Sequence, residues 1–263
     1  MQSNGQTHSL GIATSTGQSI TNDLHRYAAA PAWSPNGAAI AFFGEPGIGE
    51  LGEVYRQGEG IWTIDPQGGN PRQLVNTDHV KNIAWSSDGS MLAYEFWQPD
   101  RSFHEVIIID ADNGRLLHQF AGEQPAWNPD SQSLIIKACN PGCGLWQVDL
   151  DGKTGQQITF HKTDSFPALS PDGQALSFAS QRSGDWEIYR LELTSNELLR
   201  LTNRPGSDTT PVFSPDGQEI HLRTDAFGGW RITALSLDGS NERLIKEGVG
   251  PSDEWGLARP AVY

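Results

Sequence analysis

Six acidic residues recur along the chain at intervals of 41 to 55 residues, and their carboxylates could do chemistry together if the fold brings them to one place. Carboxylates that converge repel one another, which raises some of their pKa values or recruits a cation. Calcium suits a loosely constrained set of oxygen ligands, so it is the candidate ion and the one cofactor that these residues suggest. The alternative is that each acid only caps a turn. The candidate metal ligands are Asp23, Asp78, Glu123, Asp164, Asp208 and Asp253.

Basic and aromatic residues accompany these acids in the same segments of the chain. A face that mixes acidic, basic and aromatic side chains suits a protein or peptide partner. The alternative is that each of these side chains is simply solvated, as a lone histidine in a loop usually is. The candidate partner-binding residues are His25, Arg26, His79, His161, Arg204 and Trp255.

Known catalytic motifs are absent from the sequence. It contains no Gly-x-Ser-x-Gly elbow, no His-Glu-x-x-His zinc motif and no phosphate-binding Gly-x-x-x-x-Gly-Lys-Ser/Thr loop. The residues therefore favour binding over catalysis, and we predict that the protein is not an enzyme.

The net charge of −14 limits the class of partner. Nucleic acids and anionic lipids are recognised mainly by Lys and Arg, so both are disfavoured. A cation or a basic partner fits the charge better, although the charge also fits a purely solubilising role. The sequence has no apolar run long enough to span a membrane.

The two cysteines, Cys139 and Cys143, flank an Asn-Pro-Gly segment that is typical of a tight turn. The thiols should therefore lie close together on the two arms of a hairpin, and we predict a disulfide, which indicates an oxidising compartment. A metal site is disfavoured because no second pair of ligands lies nearby. Two reduced thiols in a cytosolic protein remain the alternative.

A repeated segment then defines the elements that must position these residues. Five copies read Pro-Ala-Trp-Ser-Pro-Asn-Gly or a close variant, and residues 259–263 resemble a sixth copy cut short. The copies begin at residues 31, 83, 125, 167, 211 and 260, with spacings of 52, 42, 42, 44 and 49 residues. Repeats of this length predict the blades of a β-propeller.

One copy is enough to predict four strands per blade. In the fourth copy, the first strand is expected to begin at Pro167, the second to cover 175–179 and the third to cover 186–191. The fourth strand is expected to end near 199–202, and Gly and Asp turns separate the strands. The serines of the repeated turn, such as Ser170, have a structural use there. The bulky residue after each Pro-Ala pair should pack between neighbouring sheets. These slot residues are Trp33, Trp85, Trp127, Leu169 and Phe213.

The Pro-Ala-Trp-Ser-Pro-Asp-Gly signature resembles the TolB-like β-propeller repeat family, also described as WD40-like Pro-Asp repeats. The resemblance covers residues 9–263. It implies a bacterial protein of the periplasm or exterior and a role in protein interaction. The start of the chain lacks the basic and apolar regions of a signal peptide, so the alternatives are a removed leader and a cytoplasmic protein.

The expected fold is an all-β, six-bladed propeller of four-stranded antiparallel blades, closed by a blade that the N- and C-termini share. Residues 10–21 are expected to give the outer two strands of that blade and residues 259–263 its beginning. Residues 1–8 are expected to form a flexible segment and residues 9–263 a single domain. We expect a monomeric, non-catalytic module that binds a protein or peptide at one face of the central channel. The alternatives are a polysaccharide lyase or hydrolase with a site at the channel mouth, and the gating propeller of a larger peptidase.

Overall fold

The computed structural model describes residues 25–46, 59–98 and 103–249, which form five four-stranded antiparallel sheets. In every sheet the strands are paired in their order along the chain, so each sheet is one blade of a propeller. The predicted all-β architecture and the four-stranded antiparallel blades are therefore confirmed. No helix among the described residues has the length and apolar character needed for a membrane span.

The blades, numbered 1 to 5 along the chain, have the following strands. Blade 1 contains β1 (His25–Trp33), β2 (Ile40–Pro46), β3 (Gly60–Ile64) and β4 (Arg72–Asn76). Blade 2 contains β5 (Val80–Trp85), β6 (Met91–Gln98), β7 (Phe103–Asp110) and β8 (Leu116–Ala121). Blade 3 contains β9 (Glu123–Trp127), β10 (Ser133–Ala138), β11 (Gly144–Asp149) and β12 (Gly155–Gln157). Blade 4 contains β13 (Ser165–Leu169), β14 (Ala175–Ser183), β15 (Asp185–Glu192) and β16 (Leu198–Arg200). Blade 5 contains β17 (Asp208–Phe213), β18 (Glu219–Thr224), β19 (Arg231–Ser236) and β20 (Arg243–Glu247).

The number of blades differs from the prediction. The described residues form five blades, not six. The sixth, closing blade was expected from residues 10–21 and 259–263, and both segments lie outside the described residues. Six copies of the repeat predicted six blades, and the structure describes five of them. The sixth copy consists only of terminal sequence, which lies outside the described residues.

The turn between the first two strands of a blade is built in the same way in four of the five blades. In blade 4, Ser170 Oγ donates to Asp172 Oδ1 at 2.6 Å and accepts a hydrogen bond from Ala175 N at 2.9 Å. Equivalent serine bonds recur at Ser34, Ser86 and Ser214. The hydrogen bond from Ser170 lowers the pKa of Asp172. The repeated serines are thus structural, as the sequence predicted.

Four of the five slot residues pack between neighbouring blades, as the sequence predicts, whereas Trp33 packs against residues of its own blade. Trp127 belongs to an apolar cluster of blades 2 and 3, and its Nε1 donates to the carbonyl oxygen of Ala84 at 3.1 Å. In the same way, Trp85 Nε1 donates to the carbonyl oxygen of Ala32 at 3.0 Å. Each indole therefore buries apolar area and also fixes its blade to the preceding one.

The innermost strand of every blade contains the same β-bulge. Between Ser165 and Ala168, β13 advances three residues while its partner β14 advances two, and the other four blades show the same shift. One residue of each bulge has a left-handed backbone conformation, which is strained for residues other than glycine. These residues, with φ between 48° and 56°, are Ala30, Asn82, Gln124, Phe166 and Thr210.

Candidate partner-binding face

The innermost strands β1, β5, β9, β13 and β17 all begin at one face of the ring, which we call the mouth face. The second strand of each blade ends there, because the first residues of each innermost strand pair with the last residues of the second strand, as in Asp208 with Thr224. The loops between second and third strands and the connections between blades therefore share this face. It surrounds one opening of the central channel that a propeller has.

A cavity of about 390 Å³ lies on the mouth face in blade 5, between the β18–β19 loop and the end of β20. Phe227 lines it and is 50% exposed. Its ring is flanked by two guanidinium groups, with Arg204 at 4.9 Å and Arg231 at 4.7 Å from the ring centroid. Trp230 lines the same cavity and lies 5.2 Å from the guanidinium of Arg223. The cavity is therefore walled by aromatic faces whose orientation is held by arginines.

A second cluster on the mouth face joins blades 2 and 3. His104 Nδ1 lies 2.6 Å from Glu95 Oε1, while the other Glu95 oxygen accepts hydrogen bonds from Asn82 Nδ2 at 2.7 Å and Gln124 N at 3.0 Å. Burial alone would raise the pKa of Glu95, but these hydrogen bonds lower it. The same bond to Glu95 raises the pKa of His104. Glu123, the first residue of β9, completes a group of three ligand atoms that lie within 4.8 Å of one another.

An aromatic group borders this cluster. The ring of Trp97 lies 6.4 Å from the ring of His104 and 6.1 Å from the ring of His79. The ammonium of Lys81 lies 4.5 Å from the centroid of Trp97. Cationic and aromatic side chains therefore occur together at two places on the mouth face of a strongly acidic chain.

The predicted metal ligands Asp164 and Asp208 have arginine partners. Asp164 is completely buried, and both of its oxygens accept hydrogen bonds of 2.7 Å from Arg182 Nη2. Asp208 is bonded to Arg204, with Oδ2 at 3.0 Å from Nε. Burial raises the pKa of Asp208, although the bond to Arg204 opposes that shift. These two carboxylates are therefore neutralised locally in the absence of an ion.

The remaining predicted acids are placed differently. Asp78 is exposed and lies 3.1 Å from Nδ1 of its neighbour His79, while Glu123 belongs to the cluster with Glu95 and His104. Asp23 and Asp253 lie outside the described residues. Within the described ranges, Glu123 is the one predicted acid that lies in a group of three potential metal ligands. A cation held jointly by the predicted acids stays a prediction.

The predicted partner-binding residues that the structure describes are also distributed over the mouth face. His79 and Arg204 contribute to the two aromatic groups, and His161, before β13, bonds through Nδ1 to Thr163 Oγ1 at 2.8 Å. His25 and Arg26 begin β1, and Trp255 lies outside the described residues. Their joint role in binding stays a prediction.

The predicted disulfide is present. Cys139 and Cys143 are joined across the loop between β10 and β11, which carries the bond to the mouth face of blade 3. The same loop supplies the carbonyl oxygen of Gly142, which accepts a hydrogen bond from Trp146 Nε1 at 3.0 Å. The disulfide therefore closes a loop that is also tied to its own blade.

Sequence reasoning missed several residues of this face, namely Glu95, His104, Trp97, Arg182 and Phe227. They lie in or beside the second and third strands, away from the repeated segment. One signal was available for Glu95, because a charged residue between two aromatic residues, Tyr94 and Phe96, needs a partner if the segment is buried. Phe227 and Trp230 flank a Gly-Gly pair, which is typical of an exposed loop.

The four-stranded blades and the mouth face that they share define a propeller module. Residues 54–254 match the family model described as the TolB beta-propeller domain, and the chain belongs to this family. The family is typically non-catalytic, in agreement with the prediction that the protein is not an enzyme.

Individual proteins resemble this chain in sequence or in fold. The Tol-Pal system protein TolB of Bordetella pertussis is 29% identical over 143 residues, which cover 52% of this chain and 33% of that protein. The structure of TolB from Acinetobacter baumannii aligns with 89% of this chain and 57% of that one, with a TM-score of 0.71 and 16% identity. A puromycin-hydrolysing peptidase of Mycobacterium tuberculosis aligns with 87% of this chain and 38% of its own, with a TM-score of 0.61 and 18% identity. The chain spans between 21% and 49% of the length of the curated relatives that it matches.

Proposed function

We propose that the protein is a non-catalytic binding module that recognises a protein or peptide segment at the mouth face. The observation that carries this proposal is Phe227, which is 50% exposed, flanked by two arginines and placed at the edge of a cavity of about 390 Å³. An exposed aromatic ring held rigid beside a cavity is typical of a residue that dominates binding energy. The cavity has room for an apolar or aromatic side chain of the partner.

The charges around the cavity support a peptide rather than a nucleic acid or anionic lipid. Arg204 is bonded to Asp208 and to Glu242, and Arg231 lies 3.6 Å from Glu247. These guanidinium groups are already paired with carboxylates of the chain, so they orient Phe227 more than they attract a polyanion. Recognition would therefore depend on shape and apolar contact at the cavity, with charge setting the orientation.

A peptide library selected on the immobilised protein would test this function. We expect Phe227→Ala to weaken the selected peptides by about 30-fold, equivalent to the loss of about 2 kcal/mol that marks a dominant interface residue. Leu116→Ala is the matched control, because Leu116 is 54% exposed but lies at the β7–β8 turn on the opposite face. Peptides that bind Phe227→Ala as tightly as the unaltered protein, or that lose affinity with Leu116→Ala, would contradict the proposal.

The bacterial periplasm is the proposed location, and membership of the TolB family supports it together with the disulfide. Disulfides persist in oxidising compartments and are rare in the cytosol. We also propose a monomer whose ring is completed by a sixth blade from the terminal segments, because residues 259–263 resemble the start of a repeat. Light scattering gives the mass that checks the monomer. Cysteines introduced at Ile12 and Val262 should cross-link within one chain if those segments share a blade.

A second candidate function is that of the propeller domain of a longer peptidase-like protein. The alignment with the puromycin-hydrolysing peptidase and the partial span of the curated relatives favour it. In that case the mouth face would dock a neighbouring domain of the same polypeptide. The peptides selected from the library can be compared with the sequence of the full-length polypeptide. Selected peptides that resemble a segment of that polypeptide outside the propeller would support this second function.

A further inference from the structure

The cluster that joins blades 2 and 3 contains three side chains that metal ions commonly use. Glu95 on β6, His104 on β7 and Glu123 on β9 each offer one ligand atom, and the three atoms lie within 4.8 Å of one another. The residues come from three strands of two blades, so a shared ion would link the second blade to the third. Two carboxylates and one imidazole offer a divalent cation both charge neutralisation and a nitrogen ligand.

The ligands are held in place before any ion binds. The Glu95 side chain is 3% exposed, and its second oxygen accepts hydrogen bonds from Asn82 Nδ2 and Gln124 N. His104 is 25% exposed, and its ring lies against that of Trp97. Hydrogen bonds and ring contacts of this kind fix the orientation of the residues that bind a metal ion directly, and they strengthen metal binding. Glu123, like His104, is partly buried, whereas Glu95 is buried.

A second observation points to a missing polar partner at this place. Asn82 is 3% exposed, and its Nδ2 bonds to Glu95, but its Oδ1 has no hydrogen-bond partner among the described residues. The amide group that carries this oxygen is bonded to the cluster through its nitrogen. Buried amide oxygens are normally satisfied, often by an ordered water. An ordered water beside Asn82 would supply the donor and would show that polar groups next to the cluster are solvated.

The set of ligands distinguishes between ions. Calcium takes six to eight oxygen ligands in proteins, whereas this cluster has three ligands, one of which is a nitrogen. Zinc is commonly held by three protein ligands from His, Asp and Glu, with water in the fourth position. We propose that Glu95, His104 and Glu123 form a site for Zn²⁺ or a similar transition-metal ion. The site lies on the mouth face but does not depend on the proposed peptide binding.

Titration of chelator-treated protein with ZnCl₂ in a calorimeter tests the site directly. We expect one equivalent of Zn²⁺ to bind, and the same protein to give no saturable heat with CaCl₂. Glu123→Gln should weaken Zn²⁺ by more than about tenfold, because changes outside the ligand shell already cost that much. His104→Gln should do the same. His118→Gln, which removes a partly buried histidine from β8 of the same blade, is the matched control and should bind as before.

Cobalt provides a second measurement that reports geometry. Co²⁺ in the site should give the visible absorption of a four-coordinate complex in the unaltered protein and in His118→Gln, but not in Glu123→Gln. Glu123→Gln leaves the hydrogen bonds of Glu95 in place, so its fold is expected to persist and circular dichroism would verify this. Absent Zn²⁺ binding, unchanged binding in Glu123→Gln and His104→Gln, or tighter binding of calcium would each overturn the proposal. None of these outcomes bears on peptide binding, which the titration does not involve.

Discussion

Replacing Asp164 with asparagine removes the charge of a carboxylate that is completely buried and bonded through both oxygens to Arg182. Removing one partner of a buried ion pair costs about 3–5 kcal/mol, mainly because the other charge is left without compensation. Arg182 is 21% exposed and also lies over the rings of Phe178 and Tyr189, at 5.2 and 4.8 Å. Water and these rings compensate part of its charge, so the lower end of the range applies.

We therefore expect Asp164→Asn to lower the free energy of unfolding by about 3 kcal/mol. For a chain of this size that is a fall of about 6–12 °C in Tm. Urea denaturation followed by tryptophan fluorescence measures the change, and an unchanged urea dependence (m value) would show that the unfolded state is not altered. Asp185→Asn is the matched control, because Asp185 is an exposed acid at the start of β15, and it should change stability by less than about 0.5 kcal/mol.

A double-mutant cycle isolates the pair itself. Arg182→Met alone should cost at least as much as Asp164→Asn, because it leaves a fully buried carboxylate without a cation. The double variant should be more stable than the sum of the single changes predicts, by at least about 1 kcal/mol. If Asp164→Asn unfolds at the same urea concentration as the unaltered protein, or if the two changes are additive, the ion pair does not stabilise the fold as reasoned.

Three further predictions concern stability. Trp127→Phe removes the hydrogen bond to Ala84 and part of a buried ring, so it should lower the free energy of unfolding by about 2 kcal/mol in urea denaturation. Equal stability would show that the hydrogen bond between the two blades is not needed. Replacing Cys139 and Cys143 together by serine opens a loop of five residues and should lower the free energy of unfolding by about 2 kcal/mol. A free-thiol assay that finds both thiols in the untreated protein would contradict the disulfide. Burial lowers the pKa of His221 below 6.5, so below that pH the unfolded chain binds a proton that the folded chain resists. Its contribution to stability is therefore present above about pH 6.5 and is lost as the pH falls through the lowered pKa of the folded protein, so His221→Gln should show a smaller fall in Tm below pH 6.5. A larger fall in the variant would reverse the sign of the argument.

The fold was predictable because its signals are local and repeated. Each blade carries its own turn serine and its own slot residue, so the positions of strands in one copy, such as the one that begins at Pro167, could be checked against the other copies. Tertiary packing did not override these signals, because each blade is completed by neighbours of the same kind. The sixth blade was the exception, since its sequence lies in the two terminal segments.

The candidate site was predictable only in part, because its decisive contacts cross between strands. The sequence identified Asp164 and Glu123 as acids near the channel, but the partner of each lies on another strand. Arg182 falls between the strands predicted over 175–179 and 186–191, although it lies near the end of β14 and is bonded to Asp164. His104 had no motif that connects it with Glu95. Which strand ends meet at the mouth face follows from the antiparallel order of the blade, and residue types alone do not contain that order.

The left-handed residue in the bulge of each innermost strand has a consequence for how such a ring can diversify. Ala30, Asn82, Gln124, Phe166 and Thr210 share one backbone conformation although their side chains range from a methyl group to amides and an aromatic ring. The repeat therefore transmits the backbone geometry on duplication, while the amino acid at this position is free to change. Asn82 supports a carboxylate, Gln124 accepts a hydrogen bond from the amide of Phe166, and Phe166 packs in an apolar cluster. Gene duplication would thus yield equivalent positions around the ring that can acquire new partners one at a time, and protein engineers could vary the same positions without redesigning the scaffold.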